Sequence, residues 1–213
     1  MLTFAEELLL LSHDEKSGTF NRLPDLLLNT ALAGAVLMDL ALMNRIDNDL
    51  KTLVIHDRAP TGEKLLDDAL AALSPETAPT TVQALDVLRK NGSTIERAAL
   101  ARLVERGILR EEGGRILWVF ETRRYPLIDG KELLEVKRRI AALLLSDEIP
   151  ESRDVVIIAL AQACGLLTRV FSEAEVARAK PRIEQIAKLD LIGQEVRSSM
   201  QELNNAIVSM LPM

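Results

Sequence analysis

The sequence is poor in aromatic side chains, which make up only 3% of its 213 residues. Hydrophobic residues nevertheless account for 48% of the chain, so a core would have to consist of Leu, Ala, Val and Ile. Such a core favours helix-on-helix packing, because β-sandwiches draw more heavily on aromatic and β-branched side chains. The length suits one domain over residues 1–213, and we predict a mainly α fold in a single globular helical domain.

Cysteine is almost absent, since Cys164 is the one cysteine and no disulfide can form within the chain. It lies in the apolar run VVIIALAQACGLL, where a buried free thiol fits a reducing, cytoplasmic setting. The net charge of −6 gives no overall attraction for nucleic acid or anionic lipid. Any contact with either one would have to be local.

Motifs of the common enzyme classes are also missing, including G-x-S-x-G, G-x-x-x-x-G-K-[ST], G-x-G-x-x-G and H-E-x-x-H. His13 and His56 have no further ligand residue at metal-binding spacing. The adjacent acids Glu6 and Glu7 diverge by about 100° on a helix, so we predict solvated side chains rather than a catalytic pair. The sequence therefore predicts a non-enzymatic protein without a metal or cofactor.

Along most of its length the sequence does contain apolar residues that recur with the period of an α-helix. It predicts helices at residues 3–11, 24–43, 62–73, 80–90, 94–106, 130–146, 153–168, 173–188 and 194–210. Residues 24–43 approach membrane-spanning length, but Asp39 lies among them, and we interpret them as a buried central helix.

One or two short β-hairpins complete the predicted fold. A strand is predicted at residues 52–56, and a hairpin at residues 108–111 and 115–120 with a turn at Gly113 and Gly114. The S/D-x-x-E pattern, in which a side-chain oxygen and a Glu satisfy free amides, predicts three helix starts. The three pairs are Ser93 with Glu96, Asp129 with Glu132, and Ser172 with Glu175.

The helix and hairpin from residue 94 to residue 120 have the outline of a winged-helix DNA reader. Five arginines there are placed to meet phosphates: Arg97, Arg102, Arg106, Arg110 and Arg115. Interleaved glutamates and the acidic chain weaken that field, so nucleic acid is not the expected partner. DNA binding remains the third hypothesis.

Four segments taken in order, LTFAEELLLL, ALAGAVLMDLALMNRI, DRAPTGEKLLDDAL and LVERGIL with its hairpin, resemble the Golgi phosphoprotein 3 family. The resemblance covers residues 2–170, and residues 57–70 are its most specific part. The sequence starts directly with the LTFAEEL motif, and by the same resemblance this favours a compact, bacterial-type member of the family.

The resemblance implies a helical fold around the helix at residues 24–43 and binding of phosphatidylinositol 4-phosphate on one flat face. A cytoplasmic protein attached peripherally to the inner face of a membrane is then expected. It also implies a self-association hairpin at residues 116–129, which would carry Trp118, Phe120 and Tyr125. Burial of those aromatic side chains in the protein's own core is an equally open interpretation.

The lipid-headgroup positions are where the chain departs from the family. Eukaryotic members have one tryptophan and three arginines, at positions that align with Pro24, Ala33, Ser93 and Glu96. None keeps the residue type, and a capping box explains Ser93 and Glu96 without a ligand. Nearby basic residues that would compensate, at about 1 kcal/mol each against an anionic surface, are Arg22, Arg89, Lys90 and Arg97. The second hypothesis is a soluble scaffold that binds proteins through its helical surface or hairpin.

Overall fold

The computed structural model describes residues 1–20, 23–49, 52–74, 80–116, 120–146, 148–189 and 191–209. The helices are α1 (Phe4–Ser12), α2 (Asp25–Leu42), α3 (Lys64–Ala72), α4 (Thr81–Arg89), α5 (Gly92–Glu105), α6 (Lys131–Leu144), α7 (Ser152–Ala163), α8 (Leu167–Val170), α9 (Glu173–Ala187) and α10 (Leu191–Ser209). The strands are β1 (His13–Asp14), β2 (Thr19–Phe20), β3 (Ile46–Asp49), β4 (Thr52–Ile55), β5 (Glu112–Ile116) and β6 (Phe120–Arg124). The predicted mainly α fold is confirmed.

Helix α2 forms the centre of the fold, as the apolar run predicted. It packs against α1, α3, α4, α5, α7 and α10, and Leu32, Val36 and Leu37 are fully buried. Within the described part of the chain it is the one helix long and apolar enough to cross a membrane. Gly34 allows α10 to approach closely, because a Cβ there would lie 2.4 Å from a methyl group of Val196.

The described strands form two-stranded antiparallel pairs, β1 with β2, β3 with β4 and β5 with β6. The strand predicted at residues 52–56 is confirmed as β4. The Gly-Gly turn is wrong, because Gly113 pairs with Arg123 and Gly114 pairs with Thr122 inside the β5–β6 ladder. A bridge between Leu109 and Leu127 extends this pairing in the same register. Residues 117–119, between the two strands in sequence, lie outside the described residues.

One of the three predicted helix caps is confirmed. The Ser172 hydroxyl accepts the Glu175 N–H at 3.3 Å, and the Glu175 carboxylate accepts the Ser172 N–H at 2.9 Å. A second capping box, which the sequence analysis did not predict, joins Thr3 and Glu6 at the start of α1. Both boxes satisfy amides that a helix start leaves without an intrahelical partner.

The other two predicted boxes are wrong. Helix α5 begins at Gly92 with Asn91 as its N-cap, so Ser93 already lies inside the first turn. Helix α6 begins after Gly130, whose φ of 68° is left-handed. Asp129 instead accepts the N–H of Lys131 at 3.2 Å. In each case the helix starts one or two residues from where the Ser or Asp suggested.

Candidate functional site

The starts of α2 and α5 lie against each other, and we call the surface that they form the headgroup face. Gly92 is buried there, and a Cβ at this position would lie 2.4 Å from the side chain of Asn29. Glycine at this point therefore lets the α5 backbone contact α2 directly. Pro24, the exposed N-cap of α2, lies at the same end of that helix.

The four positions predicted from the family alignment fall in different surroundings. Pro24 and Ser93 are exposed, and Glu96 is half-buried. Ala33 is fully buried, two turns inside α2, and its methyl group has no access to solvent. The fold therefore offers Pro24 and Ser93 to a ligand, while Ala33 serves the core. A headgroup site at these positions stays a prediction.

The predicted compensating cations are only partly available. Arg89 donates to Asp86 at 2.7 Å on its own helix. Arg97 folds back on α5, with Nε 3.3 Å from the Ser93 carbonyl oxygen. Lys90 is exposed at the end of α4, and Arg22 lies outside the described residues. Lys90 and Arg97 are thus the described cations at this face that are exposed to solvent and have no ion-pair partner.

The N-terminus of α5 adds a positive partial charge to the headgroup face. The N-cap residue Asn91 makes no side-chain hydrogen bond to this 14-residue helix. The first amides of such a helix point outward, and the helix dipole favours an anion at that end. The arrangement is electrostatically suited to one phosphate or carboxylate group.

A second charged region surrounds α1, and the sequence reasoning missed it. We call it the α1 cluster; it comprises Glu6, Glu7, Asp39 and Asp154 with Arg102, Arg106, Arg139 and Arg153. Glu6 is fully buried, and Glu7 is 2% exposed, so their predicted solvation is wrong. The Glu6 carboxylate accepts from Arg102 Nε at 3.1 Å. Glu7 accepts from Arg139 and Arg153, at 3.1 and 3.0 Å.

Asp39 attaches the first turn of α1 to the central helix. Its carboxylate accepts the N–H of Phe4 at 2.9 Å, and Arg153 Nη1 lies 4.0 Å away. Burial raises the pKa of Asp39 to about 7, a shift that the Phe4 N–H and Arg153 oppose and that Glu7 and Glu6 reinforce. Arg153 also lies over the Phe4 ring, with its guanidinium carbon 4.4 Å from the ring centroid.

The α1 cluster ties α1 to α2, α5, α6 and α7. Its buried carboxylates contact guanidinium groups, which do not exchange protons at physiological pH. It also engages Arg102 and Arg106, two of the five arginines on which the DNA-reader hypothesis depended. The sequence offered one local sign of this burial: Glu6 and Glu7 lie in the segment FAEELLLL, which has no polar helix face apart from them.

The hairpin predicted for self-association is described only in part. Tyr125 is half-buried, with its N–H donating to the Gly18 carbonyl oxygen at 2.7 Å and its ring 5.8 Å from that of Phe20. Trp118 lies outside the described residues, and of Phe120 the backbone alone is described. Self-association through this hairpin stays a prediction.

Two features of the described residues bear on chemistry, their potential metal ligands and Cys164. None of their His, Cys, Asp and Glu side chains form a group that could hold a metal ion. Burial raises the pKa of the Cys164 thiol to about 12, so little thiolate is present at neutral pH.

Comparison with known proteins agrees with the order of the sequence motifs. The family model described as Golgi phosphoprotein 3 (GPP34) matches residues 4–203. Vacuolar protein sorting-associated protein 74 of Eremothecium gossypii is 28% identical over 208 residues. That alignment covers 80% of this chain, and the chain spans 62% of the length of the relative.

Proposed function

The chain belongs to the Golgi phosphoprotein 3 family, and from that premise we propose that it is a non-enzymatic peripheral membrane protein on the cytoplasmic side. Its ligand is the anionic headgroup of a phosphoinositide-type lipid, bound at the headgroup face. The observation that carries the proposal is the uncapped N-terminus of α5, with Lys90 and Arg97 beside it in sequence.

The chemistry of the face supports binding of modest strength. Headgroup phosphates are held best by charge-assisted hydrogen bonds from arginine, and the family's arginine positions here carry Ala33, Ser93 and Glu96. The amides of α5 and the two exposed cations supply the remaining attraction, with each basic side chain contributing about 1 kcal/mol near an anionic surface. Binding that rests on so few charges weakens steeply as salt rises.

The test is co-flotation of the purified protein with liposomes that are neutral, that contain phosphatidylserine, or that contain phosphatidylinositol 4-phosphate. We expect flotation with both anionic compositions at low salt, and retention at physiological salt with the phosphoinositide. The double variant Lys90→Ala/Arg97→Ala should lose this flotation.

A matched control removes the same charge elsewhere. Arg178 and Lys180 are exposed on α9, so Arg178→Ala/Lys180→Ala changes the net charge equally at a distance from the headgroup face. If both double variants lose flotation to the same extent, the attraction is a property of net charge. If neither changes it, lipid binding lies elsewhere on the molecule.

A soluble protein-binding scaffold is the second candidate, and an apolar surface favours it. A cavity of about 430 Å³ is lined by Met38, Leu42, Val155 and Leu189 among others, and Leu189 is 64% exposed. Exposed apolar side chains around a concave surface are typical of protein contacts. The liposome assay separates the two candidates, because a protein-binding scaffold should float with none of the three vesicle compositions.

A further inference from the structure

A cavity of about 600 Å³ lies between α3, α4 and α5. Its apolar walls come from Leu65 and Ala69 of α3, Leu88 of α4, and Ile95 and Ala98 of α5. A concave, mainly apolar cavity of this size is typical of sites for small organic molecules.

The cavity adjoins the headgroup face, because α5 contributes to both. Thr94, Ala98 and Arg102 line it, at the four-residue spacing that keeps side chains on one side of a helix. Arg97 reaches this side as well, since its Nη2 lies 3.4 Å from Thr94 Oγ1, and Asn91, the N-cap of α5, also lines the cavity. The proposed lipid contact uses the first turn of α5, whereas Glu105 lines the cavity at the last residue of that helix.

The cations around the cavity already have partners. Lys64 donates to Asp68 at 2.9 Å. Arg102 is paired with Glu63 and Glu6 across the end of the cavity. Arg106 donates to the Met1 carbonyl oxygen at 2.8 Å and faces Glu6 at 3.8 Å. An incoming anion would have to displace these contacts.

Glu105 is different, because it lines the cavity, is exposed, and has no ion-pair or hydrogen-bond partner among the described side chains. It leaves one unbalanced negative charge at the edge of an apolar site. We propose that this cavity binds a small hydrophobic cation, with its apolar body against Leu65, Leu88 and Ile95 and its ammonium group at Glu105. Apolar contact supplies the affinity, and charge complementarity selects the cation.

Three probes with the same ring system and different charge test this proposal: 2-naphthylmethylamine, 2-naphthalenemethanol and 2-naphthoate. In amide NMR titrations of the full chain we expect the amine to bind most tightly, the alcohol more weakly and the carboxylate not at all. The shifted amides should include those of Ala69, Ile95 and Ala98. Absence of binding by all three, or binding of the carboxylate as tight as that of the amine, would overturn the proposal.

Three variants sharpen the test. Glu105→Gln should weaken the amine about two- to fivefold, the effect expected of one exposed ion pair, and leave the alcohol unchanged. Glu135→Gln, at an exposed acid on α6, is the matched control and should leave both unchanged. Ala98→Phe should fill the cavity and abolish binding of both probes.

Circular dichroism establishes whether Ala98→Phe is folded. A folded Ala98→Phe protein that still binds the amine contradicts the proposal. The comparison of Glu105→Gln with Glu135→Gln does not depend on the Ala98→Phe variant. Equal affinity of these two proteins for the amine would also contradict the proposal.

Discussion

The α1 cluster and the headgroup face use charge in opposite ways. In the α1 cluster, Glu6 and Glu7 are buried at 0% and 2% exposure and each contacts two arginines. On the headgroup face, Lys90 and Arg97 are exposed and make few hydrogen bonds. The contrast indicates that this chain uses its buried charge pairs to hold α1 in place, whereas the exposed charges are the ones that we propose for the headgroup contact.

The largest effect should come from breaking the α1 cluster at Glu7. Glu7→Ala leaves Arg139 and Arg153 without their shared carboxylate, and removing one partner of a buried pair costs about 3–5 kcal/mol. We expect a loss near the lower limit because both arginine side chains retain some solvent contact, at 29% and 17% exposure. Urea unfolding measures it.

Asp68→Ala is the control for Glu7→Ala. It breaks the exposed pair with Lys64, and such pairs contribute about 0–1 kcal/mol. Similar losses for Glu7→Ala and Asp68→Ala would mean that burial does not distinguish the two pairs.

The next effect is a pH dependence that originates at Asp39. Its folded pKa of about 7 exceeds the usual pKa of 3.8 for an aspartate side chain, so between these values the folded state holds a proton that the unfolded state has released. The free energy of unfolding therefore falls as pH rises through this window, by about 2–3 kcal/mol between pH 5 and pH 8. Asp39→Asn should remove this slope while keeping an acceptor for the Phe4 N–H.

Urea unfolding at pH 5, 6, 7 and 8 measures the slope. Asp68→Asn, at an exposed carboxyl, is the control and should leave it intact. A slope that persists unchanged in Asp39→Asn would show that Asp39 is not its source.

A smaller effect is expected at the contact that builds the headgroup face. Gly92→Ala places a Cβ 2.4 Å from Asn29, and overpacking of this kind costs about 1–3 kcal/mol. The loss should shrink when Gly92→Ala is introduced into Asn29→Gly, which removes the opposing side chain. Thermal unfolding of the four proteins in this cycle gives the coupling, and a coupling of zero would contradict the direct α2–α5 contact.

The smallest effect is expected from the exposed cations themselves. Lys90→Ala/Arg97→Ala should change the free energy of unfolding by less than about 0.5 kcal/mol, since neither side chain is buried or strongly paired. A loss comparable with that of Glu7→Ala would show that these charges hold the fold together, and would remove the contrast between the two regions.

The sequence predicted the parts of the fold that depend on local pattern. Helix α2 was recognisable because an apolar run of that length around Asp39 has few other stable arrangements. Glu6 and Glu7 were misread because the spacing rule compares neighbours on one helix, whereas their partners lie 96 to 146 residues away.

Two further errors have local causes. Gly113 and Gly114 suited a turn, but the Leu109–Leu127 bridge sets the register of the hairpin and makes them part of a strand. Ser93 had the right spacing to Glu96 for a cap, but Asn91 starts the helix earlier. The cavity beside Ala98 had no sequence signal, since its walls come from three helices whose packing the pattern does not specify.

The distant partners of α1 also have a consequence for synthesis. Helix α1 is the first part of this sequence to be translated, yet Glu7 meets Arg153 only after 146 further residues have been added. At about 5–20 residues per second, that interval is about 7–30 s. Until then the leucines of α1 have no finished docking site and Glu7 lacks one of its two guanidinium partners, so we expect the nascent helix to be a substrate for chaperones before it becomes part of the core.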